Sequence, residues 1–174
     1  MSLTMHQAAI PALTRGLNSL SAILAKAAAH AEARNIDPQV FLQARLAPDM
    51  FPLLRQAQIA CDLAKGCAAR LAGQEVPSYA DDEIGFDDLQ ARIAKTLALV
   101  AGVTPAQLEG SEDRAVTLKV RGEEITFSGL GYLRNFALPN FYFHLTTAYA
   151  ILRHNGLELG KPDYLGGAPA SLAE

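Results

Sequence analysis

Residues 135–152 read NFALPNFYFHLTTAYAIL. No Asp, Glu, Lys or Arg falls between Arg134 and Arg153, in a chain where 19% of residues are charged. An uncharged run of this length on a helical period is expected inside the molecule. Phe141, Leu145, Ala148 and Leu152 share one wholly apolar stripe. Asn140, His144, Thr147 and Ile151 make the stripe beside it, because residues three and four apart face the same way. His144 is therefore the imidazole expected among apolar neighbours. Pro139 divides the run, since the residue before a proline avoids the helical region. The inner helix is predicted over about Asn140–His154, closed by Asn155-Gly156.

Three more helices of bundle type precede it. Ile10, Leu13, Leu17, Leu20 and Leu24 step 3, 4, 3, 4, the seam of a helix from about Thr4 to Arg34. Pro11 lies in its first turns. His6 near its start and His30 in its last turn are expected at the surface. Asp37-Pro38 opens a short helix with an acidic N-cap and proline at the first position. Asp49 or Met50 leads into the next long helix, with Pro52 in its first turn and an end before Gly73. Its seam is Leu53, Ala57, Ala60, Ala64, Cys67 and Leu71, small enough for a neighbouring helix to come close. Gln56 and Gln58 lie beside that seam. A third helix, about Phe86–Ala101, carries Asp87 and Asp88 where the helix dipole favours them. Leu89, Ile93, Thr96 and Val100 make its inner face.

Two stretches break the helical pattern. Between Glu75 and Glu83, turn formers alternate with four carboxylates. The spacing is not that of a calcium loop, so a solvated loop is expected. AVTLKV and EEITF, joined by Arg121-Gly122, read as a β-hairpin. A lone hairpin is not stable in water, so this one must lean on the helices or on another chain. The predicted architecture is an all-α four-helix bundle with a short extra helix and a small β-hairpin before the last long helix. It occupies residues 1–160 as one domain, followed by an extended tail, 161–174.

Composition narrows the function. A net charge of −3 with scattered Lys and Arg offers no nucleic-acid footprint. The N-terminus lacks a signal peptide's basic start and apolar run. The longest uncharged stretch is too polar for a membrane span, so a soluble, cytoplasmic protein is expected. Cys61 and Cys67 share one predicted helix at about 240° to each other and cannot bond together. They read as buried small hydrophobes. No phosphate-binding glycine loop and no nucleophile elbow is present.

The order of elements and the string HLTTAYAILRHNG resemble the DinB/YfiT-like superfamily of four-helix bundles. The longer strings LAPDMFPLLRQAQIACDLAKG, DLQARIAKTL and ALPNFYFHLTTAYAILRHNGLELGK resemble one bacterial branch known only as a domain of unknown function. The resemblance implies a divalent metal on three His, one from the second long helix and an HxxxH pair from the last. Carried over by position, the second His of the pair falls on His144 and the first on Asn140. The ligand of the second helix falls on Gln56, with Asp49 as the alternative. Two of the three imidazoles are absent, so the implied metal site is degenerate, with His144 its remaining ligand.

Three functions stay open from this reading. One is a binding or structural module with no cofactor, holding a small apolar ligand near His144, Asn140, Asp49, Gln56 and Tyr142. The second is a metal-dependent enzyme of thiol transferase or hydrolase type, using His144 with Asp49 or Gln56. The third is a homodimer formed through the hairpin and a bundle face. In the first, His144 is either a pocket group or a core imidazole bonded to Asn140, Gln56, Asp49 or a backbone carbonyl.

Overall fold

The computed structural model describes residues 3–120 and 122–167. Helix α1 spans Met5–Ala33 and starts in a reciprocal cap: Gln7 N donates to the Thr4 hydroxyl and Thr4 N to the Gln7 side chain. Such a cap satisfies two backbone donors at a helix start. Helix α2 (Pro38–Leu42) is capped by Asp37 as the sequence predicts. Helices α3 (Leu53–Leu71) and α4 (Phe86–Ala101) follow. A 3-10 turn over Pro105–Leu108 leads to strands β1 (Ala115–Val120) and β2 (Glu123–Ser128). The last elements are α5 (Gly129–Tyr132), a π-helical turn (Leu133–Ala137), α6 (Leu138–His154) and α7 (Lys161–Leu165).

The four long helices meet in a ring. α3 packs on α6 and α4, and α1 on α4 and α6, with α1 also reaching α3. The seam residues of α1 and α3 named above are all buried, and Ala57, Ala60 and Ala64 are fully so. Small side chains there let α6 approach α3 closely, because helix separation follows the residues at the contact. Phe141, Leu145, Ala148 and Leu152 fill the interior from α6. The described residues are thus mostly helical, with one two-stranded antiparallel sheet among them.

The hairpin pairs Ala115 with Ser128 through Val120 with Glu123. Gly122 has φ of +93°, the region a tight hairpin turn requires and glycine reaches without strain. Arg121 of the predicted turn lies outside the described residues. The sheet leans on its own chain. Val116 is buried, and the Phe127 ring meets Tyr132 and Phe136 at 6.4 and 5.9 Å.

Pro139 does not break the chain as its local rule predicts. Helix α6 begins at Leu138 and runs through it, and α5 and the π turn precede it without a gap. The reason lies in the π turn. Leu138 N donates to the Leu133 carbonyl, five residues back. The wider turn accommodates the proline ring, which has no N–H to place in the helical ladder. Pro52 also departs from expectation. It stands before α3 in extended conformation rather than in its first turn.

The tail differs as well. Residues 161–165, expected extended, form α7, whose Asp163 carboxylate accepts from Gly160 N at 2.8 Å. Lys26 bonds the same residue at 2.6 Å. Tyr164 reaches the Thr146 hydroxyl at 2.8 Å and packs edge-on against Tyr149. Residues 168–174 of the predicted tail lie outside the described residues. His6 and His30, expected at the surface, are half-buried. His6 Nε2 donates to the Val103 carbonyl at 3.1 Å, and His30 meets the Phe41 ring edge-on.

Candidate functional site

His144 sits on α6 where that helix faces the entrance of α3, and its ring is half-buried. Its Nδ1 lies 2.7 Å from Gln56 Oε1. Gln56 is almost fully buried, and its Nε2 donates to the Phe51 carbonyl at 3.0 Å. These two contacts fix the tautomer. A carbonyl only accepts, so the Gln56 amide nitrogen must face Phe51 and its oxygen must face His144. That oxygen also only accepts, so Nδ1 carries the proton. Burial, and then the Arg55 cation, hold the imidazole below its ordinary pKa of 6.5. At neutral pH the ring is uncharged and Nε2 bears a lone pair. Nε2 has no protein partner among the described residues, and it is not sealed from solvent.

Asn140 turns away from this pair. Its Nδ2 donates to the Phe136 carbonyl at 2.6 Å, one turn back along its own helix. There it supports the π turn ahead of Pro139. Asp49 is exposed in the turn before α3 and makes no hydrogen bond to His144, Gln56 or Asn140 among the described residues. Of the five residues singled out in the sequence, the structure therefore joins His144 and Gln56 directly. Tyr142 lies at the edge of a neighbouring hollow.

That hollow is a shallow, nearly all-apolar depression of about 380 Å³. Leu46, Tyr142, Phe143, Thr146, Thr147 and Ala150 line it. Thr147 contributes its methyl rather than its hydroxyl, which donates to the Phe143 carbonyl. Phe143 is 56% exposed, and its ring meets His144 edge-on at 5.3 Å. Leu46 and Phe51 are also exposed. Large apolar groups gathered in the open are unusual on a soluble surface unless something covers them. One aromatic ring separates the hollow from the imidazole.

A family model described as "Domain of unknown function (DUF1993)" matches residues 5–165. The chain belongs to this family. It is also 40% identical to a DinB family member protein from Shewanella denitrificans, whose crystal structure superposes with a TM-score of 0.87. The match covers 95% of this chain and 93% of that one. No curated protein matches the chain.

In this DUF1993 chain the residues do not fit the three-imidazole metal site that its DinB-like resemblance implies. His144 Nδ1 is spent on Gln56, the Gln56 amide on His144 and the Phe51 carbonyl, and the Asn140 amide on the Phe136 carbonyl of the π turn. Among the described residues no three His, Cys, Asp or Glu side chains gather closely enough to hold an ion. Amide side chains are weak ligands for zinc and its neighbours.

A second polar cluster escaped the sequence reading. Arg92 on α4 has a side chain only 2% exposed, yet it holds three carboxylates. Its nitrogens lie 2.8 Å from Glu83, 2.9 Å from Asp62 and 3.1 Å from Asp81, and one donates to the Ala80 carbonyl. Asp81 also pairs with Arg55, and Glu83 accepts from Gln58 Nε2 at 2.7 Å. The ammonium groups of Lys65 and Lys95 lie over the Tyr79 ring, 3.8 and 4.1 Å from its centre. The acidic loop expected to be solvated is thus strapped across α3 and α4. The available signal was an Arg on the apolar face Leu89–Ile93–Thr96, just after a run of acids.

Among the described residues, no helix is long and apolar enough to cross a membrane.

Proposed function

We propose that this chain is a small-molecule-binding module on a four-helix bundle, holding an amphipathic ligand against α6 beside His144. The observation that carries this reading is the exposed apolar hollow next to a half-buried imidazole, one nitrogen of which has no partner among the described residues. An apolar concavity with a few fixed polar groups is the usual form of a ligand site. The positions where the resemblance implies metal donors serve here as hydrogen-bonded supports. Gln56 orients the imidazole and Asn140 steadies the helix that carries it. Tyr142 and Phe143 supply the aromatic wall.

Anilinonaphthalene sulfonate, an amphipathic probe whose aromatic rings fluoresce on apolar surfaces, tests the reading directly. The native protein should bind it saturably, and Ala150→Trp, which fills the hollow from one wall, should abolish that binding while leaving the thermal midpoint close to wild type. Unsaturable binding, or binding indifferent to a tryptophan at position 150, would end the reading.

A further inference from the structure

The free atom of His144 says what kind of molecule belongs beside it. We infer that the ligand is an apolar molecule bearing a hydroxyl donor, a phenol or long alcohol, whose O–H bonds His144 Nε2 while its hydrocarbon lies over Phe143 and into the hollow. The inference rests on the binding reading above and adds the chemistry of the polar end.

Three observations lead to it. The Phe51 carbonyl and Gln56 together force the proton onto Nδ1, so Nε2 can only accept. The imidazole also stays neutral near pH 7, since burial and the Arg55 charge both disfavour a second proton. It therefore does not offer a cation to an acid. Among the described residues the nearby polar groups are few, and the Arg55 cation that acts on the ring is paired with Asp81. The hollow is walled by Leu46, Tyr142, Phe143, Thr146, Thr147 and Ala150, and the hydroxyls of Thr147 and Thr146 are already spent on the Phe143 carbonyl and on Tyr164. A fixed acceptor whose ring meets Phe143, a wall of the hollow, at 5.3 Å selects for a donor attached to hydrocarbon. It selects against carboxylates, which bring only acceptors at this pH, and against bare hydrocarbons, which would cover Nε2 without pairing it.

A matched pair of probes isolates the donor. 4-Propylphenol and 4-propylanisole differ by one methyl on oxygen, which removes the O–H. Each is titrated into the native full-length chain, with the imidazole nitrogens and the α6 amides followed by ¹⁵N NMR. The free protein should show Nδ1 protonated and Nε2 bare. The phenol should bind saturably and shift Nε2, and the ether should bind about tenfold more weakly, the loss expected for one unmade hydrogen bond. Equal affinities, with both probes perturbing Phe143, would overturn the donor inference and leave the binding reading standing. If neither probe perturbs α6, both fall. A proton found on Nε2 in the free protein would also overturn the inference, since the acceptor would not exist.

Discussion

Gly16 on α1 and Phe141 on α6 touch so closely that the contact has no room for a methyl group. A Cβ built on Gly16 would lie 2.7 Å from Phe141 Cζ and 3.2 Å from Leu145 Cδ2. Phe141 is fully buried and cannot swing aside. Gly16→Ala gains about 1 kcal/mol of helix propensity, but overpacking a filled core costs about 1–3 kcal/mol. The variant should therefore be less stable than wild type, seen as a lower urea midpoint at unchanged slope. Adding Phe141→Leu should make the same Gly16→Ala step neutral or stabilising, because the obstructing ring edge is gone. A Gly16→Ala protein as stable as wild type would show that the α1–α6 contact is looser than described.

Arg92 is the hub that ties the 79–83 strap to α3 and α4. Removing one partner of a buried ion pair leaves the others uncompensated, at about 3–5 kcal/mol. Arg92→Met should approach that loss, since Glu83 is nearly as enclosed as the arginine. Asp81→Asn should cost far less, because Asp81 is 43% exposed and water replaces the pair. Urea denaturation of the two variants ranks them, and equal losses would mean that the strap is held by its exposed end.

The same hub makes the strap sensitive to acid. Burial pushes the Glu83 carboxyl up, but hydrogen bonds from Arg92 and Gln58 outweigh it and hold the pKa below the ordinary carboxylate value. Stability from Glu83 is then fully present above the unfolded pKa of about 4.3. It is lost as pH falls through the lower folded value. Stability measured from pH 6 down to pH 3 should decline less steeply in Glu83→Gln than in wild type. Parallel curves would remove Glu83 from the acid response.

The helix seams were legible because a period of 3.6 residues is written locally. Ile10, Leu13, Leu17, Leu20 and Leu24 are buried as their spacing predicts. Pro139 was misread for the opposite reason. The rule for residues before proline is local, while the π turn that absorbs the ring is supported by Asn140 and by the packing of Phe136 on Tyr132 and Phe127. Residues 161–165 look shapeless alone and are helical because Lys26, Thr146 and Tyr149 bind them from distant positions. The site divides the same way. His144 stood out by its uncharged setting, but Gln56 lies 88 residues away and was one of four open partners. Arg92 was hidden because its partners come from a loop whose path no spacing encodes.

Cys61 and Cys67 are buried, free, and pushed up by burial to pKa values of about 12. Only the thiolate is a nucleophile. Native protein at pH 8 should therefore react negligibly with a disulfide reagent, and both thiols should react at once in denaturant. In native buffer the slow reaction should follow the rate or population of unfolding, so Gly16→Ala should accelerate it. A thiol that reacts rapidly in the folded chain would contradict the enclosure of α3.

The pairing of His144 with Gln56 carries the last prediction, and its sign follows from the depressed imidazole pKa. The folded state resists protonation at His144, whereas the unfolded chain takes a proton near pH 6.5. Stability is then fully present above 6.5 and falls as pH drops from 6.5 toward the lower folded value. Gln56→Glu places a carboxylate against Nδ1 and rewards the charged ring. The His144 pKa should rise, and the stability loss between pH 6.5 and 5 should shrink or reverse. Gln56→Leu leaves Nδ1 and the Phe51 carbonyl without their partner, at about 1–3 kcal/mol, and frees the imidazole to exchange tautomers. NMR titration of His144 in the three proteins reads all of this at one ring. A pKa that stays put in Gln56→Glu would mean that the 2.7 Å contact does not govern the imidazole.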